Sequence, residues 1–301
     1  MEKLLIITGP TASGKTALAV DIARSLDTSI ISCDSVQIYK GFDIGSAKPG
    51  ESEKGGIAHY LMDFLSPDSS YSTAQYAKDF DEVVNAHFEG KTAVVCGGTA
   101  LYIQSVLYPM KHGSTPSDLL LRRELEALAK DKGNDFVHSK LSVLDPETAK
   151  RLHPNDLKRV IRAIEVATLT GRPLSQNRGA FDRPFKYTFK LFGLYLERQE
   201  LYEKIDNRVD AMLKAGLLEE VEALLKGGLD SSSQSMQAIG YKEALLYLLG
   251  KCSYDDFVSA VKQHSRNYAK RQITFMKRLP GIVWLDANDR KNKHVILEHF
   301  R

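Results

Sequence analysis

The chain has 301 residues, 43% hydrophobic and 26% charged, with a net charge of +3, a balance ordinary for a soluble globular protein and enough chain for one large or two modest domains. That charge is too mild to announce nucleic acid by itself, no apolar stretch approaches membrane-spanning length, and no charged leader precedes an apolar run, so a cytoplasmic protein without a membrane role is expected. Cys33, Cys96 and Cys252 lack metal-ligand spacing and read as structural thiols.

Leu4 to Ile7 reads as a buried strand, and Leu18, Ile22 and Leu26 mark a helix beginning near Ala17. Between them lies Gly9-Pro10-Thr11-Ala12-Ser13-Gly14-Lys15-Thr16, which fits G-x-x-x-x-G-K-[ST] in the strand-loop-helix setting that the pattern requires. Glycines let backbone amides point at a phosphate, the helix adds the positive end of its dipole, Lys15 neutralises phosphate oxygens, and the Thr16 hydroxyl can ligate Mg²⁺. The loop leaves open which phosphate compound it holds. Ser29 to Cys33 reads as a second strand that delivers Asp34 beyond its carboxyl end, where ligands sit in open α/β sheets. On its position alone Asp34 is a cap or turn residue, a Mg²⁺ carboxylate or a general base.

Residues Gly41 to Pro67 are loop-rich and suit a lid or binding loop, with His59 and Asp63 read as structural groups. Tyr71 to Phe88 returns to helical periodicity. Thr92 to Cys96 is a third strand, followed by Gly97-Gly98-Thr99 and a helix from Tyr102 to Leu107. A common ATPase would place an aspartate after such a strand, whereas here glycines stand there and put the Thr99 hydroxyl beside the crevice.

Pro109 to Pro116 suits a hinge. From Asp118 to about Lys190 the pattern is helical only (Leu119 to Lys130, Asp135 to Leu144, Asn155 to Leu169), which reads as an insertion within the α/β core. From Arg151 to Lys190, Lys/Arg at 151, 158, 159, 162, 172, 178, 183, 186 and 190 outnumber Asp/Glu at 156, 165 and 182. Lys158, Arg159 and Arg162 share a helix face there, which suits a polyanion. Lys190 to Leu196 should rejoin the core as a strand, followed by helices at Glu200 to Lys214, Leu217 to Lys226 and Tyr241 to Leu249. Ser253 to Asp256 resembles a capping box opening a helix to Leu279 whose later half holds Arg266, Lys270, Arg271, Lys277 and Arg278, a second basic surface. Ile282 to Leu285 is a final strand. The expected fold class is α/β: a P-loop NTPase-like core with a mostly parallel sheet flanked by helices, over 1–113 and 189–301, plus an all-helical insertion domain over 114–188.

Several blocks, in family order across nearly the whole chain, resemble the bacterial tRNA dimethylallyltransferases, also called tRNA isopentenyltransferases. They are Gly9 to Thr16, Asp34-Ser35-Val36-Gln37-Ile38-Tyr39, Asp43-Ile44-Gly45-Ser46-Ala47-Lys48-Pro49, Gly97-Gly98-Thr99-x-Leu101-Tyr102, and His153-Pro154-Asn155-Asp156 with Arg159, Arg162, Ala163, Glu165 and Val166. Ala238-Ile239-Gly240-Tyr241 and Tyr268-Ala269-Lys270-Arg271-Gln272-x-Thr274 complete the set, with departures at Tyr60, where a second histidine is usual, and Phe275, where tryptophan is usual.

The resemblance implies transfer of a dimethylallyl group from dimethylallyl diphosphate to the exocyclic amine of adenosine at position 37 of tRNA, next to the anticodon, with Mg²⁺ as cofactor. The phosphate loop, Gly9 to Thr16, would then hold a leaving group, with Thr16 on the metal and Arg208 supplementing diphosphate binding. Asp34 becomes the base for the amine and Thr99 a catalytic neighbour in the substrate channel. Asp34 to Gln37 and Thr99 would meet the flipped adenosine, while Arg122 and the run Lys158, Arg159, Val160, Ile161, Arg162 would bind the tRNA anticodon stem-loop through the 114–188 insertion. A monomer is expected, since nothing suggests an obligate interface. The residues alone also suit a small-molecule kinase using Asp34 as base, or a non-catalytic RNA-binding switch that takes nucleotide as ligand.

Overall fold

The computed structural model describes residues 3–108, 118–177 and 185–300, so the expected hinge at Pro109 to Pro116, the boundary at 113/114, and Arg178, Asp182 and Arg183 lie outside the described residues. The described residues form two compact units, one holding everything up to Leu107 and from Phe185 onward, the other everything between.

The first unit opens with β1 (Lys3–Thr8), α1 (Lys15–Ser25), β2 (Ile30–Ser32), α2 (Glu51–Lys54), β3 (His59–Tyr60), α3 (Thr73–His87), β4 (Thr92–Cys96) and α4 (Ala100–Leu107). The second unit consists of α5 (Leu119–Lys132), α6 (Asn134–Leu144), α7 (Pro146–Ala149) and α8 (Leu157–Thr170). The first unit then resumes with β5 (Thr188–Tyr195), α9 (Arg198–Lys214), α10 (Leu217–Lys226), α11 (Tyr241–Leu248), α12 (Tyr254–Met276), β6 (Ile282–Asp286) and α13 (Asn292–Phe300).

Six strands form one sheet in the order β3-β2-β4-β1-β5-β6, and every pairing is parallel. Parallel strands are covered on both faces, which is why β1, β2 and β4 read as apolar runs rather than as alternations. Leu5, Ile7, Ile30 and Val94 pack with Ala19, Ile22 and Ala23 of α1 and Ile296 of α13 on one face. Because β2, β4 and β1 are neighbours, their carboxyl ends bring Asp34, Gly97 and the phosphate loop together at one edge, the usual ligand position in such sheets. Ser253 caps α12 as its pattern suggests, its hydroxyl accepting from Asp256 N at 3.1 Å.

Besides 3-10 turns at Leu174–Asn177 and Ser235–Gln237, four elements among the described residues were not expected from the sequence: α2, β3, α7 and α13. β3 is two residues long and α2 and α7 four each, too short for a periodic signal. α7 is defined by its cap: Pro146 takes the first position and Asp145 accepts from Thr148 N at 3.0 Å. The second carboxylate oxygen of Asp145 accepts from Ser175 N at 2.8 Å. Burial raises the Asp145 pKa, but these hydrogen bonds outweigh it and bring the carboxyl down to about 2.

Candidate active site

β1 stops at Thr8, whose hydroxyl donates to Gly97 O at 2.8 Å and ties the start of the phosphate loop to the end of β4. The loop passes through two left-handed residues, Ala12 (φ 64°) and Gly14 (φ 77°), and Gly14 adopts that conformation without strain directly before α1. Lys15 opens α1, so the positive end of the helix dipole lies at the loop. Its ammonium donates to Pro10 O at 3.2 Å, and burial holds it below the ordinary lysine range, with Cys96 and Asp34 opposing and Arg208 assisting. Among the described residues, the buried Ser13 hydroxyl of this loop has no hydrogen-bond partner, and neither has the buried Nε of Arg208, from α9. Burial lowers the Arg208 pKa as well, opposed by Asp34 and Glu53. Buried polar groups without partners are costly, and a bound anion would satisfy them.

Asp34 follows β2 and accepts through Oδ1 from Val36 N at 2.9 Å and Gln37 N at 3.3 Å, so it is a turn former. Its other oxygen has no hydrogen bond from the described residues, which leaves a carboxylate oxygen for chemistry. The Thr99 hydroxyl accepts from Ser35 N at 3.1 Å, and Thr99 N donates to Cys33 O at 3.1 Å. β2 and β4 end so close together that a Cβ on Gly97 would overlap the Cys33 carbonyl.

These groups surround a cavity of about 400 Å³, within the range of small-ligand sites. Lys15, Thr16, Asp34, Ser35, Val36, Gln37 and Arg208 line it, as do Ile205, Val209 and Met212 of α9 and Val261, Tyr268 and Gln272 of α12. Thr99, expected in the channel, adjoins the cavity through its hydroxyl, which interacts with the lining residues Ser35 and Tyr268. Gln37 lines the cavity, but its amide already donates to Ser46 O and Ala47 O at 3.2 and 3.1 Å. Of the two groups read as structural, Asp63 pairs with Lys48 at 2.6 Å. His59 lines the cavity with Nε2 buried and without a partner among the described residues, Nδ1 lying 2.8 Å from Ile57 O, and burial lowers its pKa.

Thr16 faces the cavity, yet among the described residues no group of three or more His, Cys, Asp or Glu could hold a metal. This donor set fits Mg²⁺ held by one hydroxyl and the oxygens of a bound diphosphate, and does not fit an all-protein cage.

Sequence reasoning missed two residues. Gln272, 6% exposed, accepts from Thr11 N at 3.0 Å and donates to Gly98 O at 2.9 Å. It was detectable as a polar residue in the buried stripe Phe257, Val261, Ala269, Met276 of α12. Glu220 accepts from the amides of Asp43, Ile44 and Gly45 at 3.0, 2.7 and 3.1 Å and pins the loop that the family pattern singles out. Its partners lie some 175 residues away, beyond any local signal.

In the second unit, Val160 and Ile161, expected in the RNA-binding run, are 0% and 4% exposed and their side chains pack with Leu125, Val137 and Leu141. They are the apolar face of an amphipathic helix. Arg122 and Arg162 converge on the fully buried carboxylate of Glu165, with Arg122 Nε at 2.8 Å. Lys158 and Arg159 are exposed, Arg159 pairing with Asp156 at 3.2 Å. The basic surface expected late in α12 is smaller than its composition, because Arg266 pairs with Asp206 at 2.6 Å. All three cysteines are free thiols, Cys33 and Cys96 buried.

A family model described as IPP transferase matches residues 37–279. A tRNA dimethylallyltransferase of Acetivibrio thermocellus is 44% identical over 306 residues, covering 100% of this chain and 97% of its own. One from Shouchella clausii is 42% identical over 299 residues, covering 99% and 96%. Among solved structures, a tRNA isopentenylpyrophosphate transferase of Bacillus halodurans aligns with a TM-score of 0.73 at 38% identity, over 100% of this chain and 95% of that one. A eukaryotic dimethylallyltransferase described as acting on tRNA aligns with a TM-score of 0.80 at 28% identity, over 99% of this chain and 77% of that one.

Proposed function

The chain belongs to the IPP transferase family, and from that premise we propose how its residues transfer a dimethylallyl group to an adenosine of tRNA. The observation that carries the reading is the meeting of Arg208, whose buried Nε has no partner among the described residues, the Lys15 ammonium and the half-free Asp34 carboxylate around one cavity. The cationic side suits a diphosphate, and the carboxylate suits an amine that must lose a proton.

The bond between the allylic carbon and the diphosphate oxygen breaks, and the diphosphate leaves with the bonding pair. Lys15, Arg208 and the loop amides stabilise the charge that grows on it. The Thr16 hydroxyl would hold Mg²⁺ when it is bound, and the ion would supply further charge neutralisation. The exocyclic amine of adenine attacks the allylic carbon, and its proton passes to Asp34. Phosphorus is not attacked, which accounts for glycines rather than an acid after β4. Ser35, Val36 and Gln37 line the path beside Asp34 and meet the base, which must be flipped from its stack to enter. We assign the adenosine to position 37 beside the anticodon, the RNA backbone contacts to Lys158 and Arg159 with the Arg122-Glu165-Arg162 cluster behind them, and a cytoplasmic monomer as the working form. Among the described residues no helix is long and apolar enough to cross a membrane.

The test is incubation with tRNA, Mg²⁺ and dimethylallyl diphosphate, followed by digestion and mass measurement of the nucleosides. The expected product is a prenylated adenosine from position 37. Its absence refutes the reading; nucleotide hydrolysis with a phosphorylated product would indicate a kinase instead. Light scattering of the free protein checks the monomer.

A further inference from the structure

The geometry points to Gln272 as a positioning residue that holds the leaving-group site and the base in register. It rests on the reading above, in which the phosphate loop holds the diphosphate and Asp34 takes the proton.

Among the described residues of α12, Gln272 is the one whose side chain bonds to both strand-end loops. Its Oε1 accepts from Thr11 N, in the phosphate loop, at 3.0 Å, and its Nε2 donates to Gly98 O at 2.9 Å. The approach is close enough that a Cβ on Gly98 would overlap Nε2. From Gly98 the chain of bonds continues: Thr99 N donates to Cys33 O, Ser35 N donates to the Thr99 hydroxyl, and Asp34 Oδ1 accepts from Val36 N and Gln37 N. One buried amide thus joins the loop of Lys15 to the turn of Asp34. A bidentate amide suits this task because it accepts from one loop and donates to the other along a rigid planar group. A leucine or methionine of similar size would pack as well in the stripe of α12, so packing does not account for a glutamine there.

Both amide atoms of Gln272 are committed to protein backbone, so its loss should disturb the relative placement of the reacting groups more than affinity. Misplacement on the order of 1 Å costs about 10²-fold in rate. The experiment compares wild type, Gln272→Met, Gly98→Ala, Thr99→Val and the Gln272→Met/Thr99→Val pair, with Asp34→Asn as a control for the parent reading. Each is checked for folding by thermal unfolding, then measured for single-turnover prenylation of tRNA and for binding of inorganic diphosphate. Gln272→Met is expected to lose roughly 10- to 100-fold in the single-turnover rate with diphosphate affinity within about threefold of wild type. Gly98→Ala, which displaces the amide from the other side, should reproduce that split. The double variant should lose little more than the worse single variant, because both act on one linkage. A wild-type rate in Gln272→Met, a loss confined to binding, or additive losses in the pair overturns the proposal. Full activity in Asp34→Asn overturns the parent reading instead.

Discussion

Replacing Asp34 by asparagine separates its two roles, because the substitution keeps one oxygen and exchanges the other for an amide nitrogen. Oδ1 accepts from Val36 N at 2.9 Å and from Gln37 N at 3.3 Å, and the asparagine oxygen retains both bonds. Alanine would lose them, at about 1 kcal/mol each, and would loosen the turn as well as remove the base. Asparagine removes the base alone. General-base catalysis contributes about 10²–10⁴-fold, equivalent to roughly 2.7–5.5 kcal/mol of barrier. Asp34→Asn should therefore unfold at the wild-type midpoint and bind tRNA with wild-type affinity, while its single-turnover rate falls by about 10² or more. The assay is rapid quench of enzyme in excess over labelled tRNA at saturating donor, with filter binding on the same samples. A rate within about threefold of wild type would refute proton transfer to Asp34, and a parallel loss of tRNA affinity would reassign the residue to binding.

The Lys158→Ala/Arg159→Ala variant removes two exposed charges from α8 and should lower the slope of log affinity for tRNA against log salt by about 1.5, with an unchanged slope counting against the backbone contact. Gly97→Ala places a methyl group against the Cys33 carbonyl and should cost about 1–3 kcal/mol or more in denaturant unfolding, and wild-type stability would show that β2 and β4 can part there. Asp145 has a folded pKa of about 2, below its ordinary 3.8, so the stability it contributes is present above 3.8 and lost as pH falls through about 2. Unfolding midpoints of Asp145→Asn should lie below wild type at neutral pH and draw level with it in acid, and a constant gap would contradict the assignment.

The sheet was legible because parallel strands buried on both faces announce themselves as apolar runs, and the phosphate loop because its glycines and lysine are contiguous. β3 was not, since two residues have no period; it is held by pairing Ile30 with His59 and by the stacking of Tyr60 on His87 at 4.4 Å. α13, which follows the last expected strand, supplies Ile296 to the core beside α1. In the site, Asp34 stood out by following a strand, and so did Thr99, whose hydroxyl accepts from Ser35 N beside the cavity. Val160 and Ile161 were grouped with Lys158 and Arg159 by adjacency in sequence, although consecutive helical residues point in different directions. Arg122 and Arg162 looked like free cations because nothing local shows that Glu165 is buried between them.

The three amides that converge on Glu220 form a cradle for negative charge of the same kind as the phosphate loop, and the Tyr241 hydroxyl completes it at 2.6 Å. The protein thus possesses two anion nests and keeps one plugged with its own carboxylate.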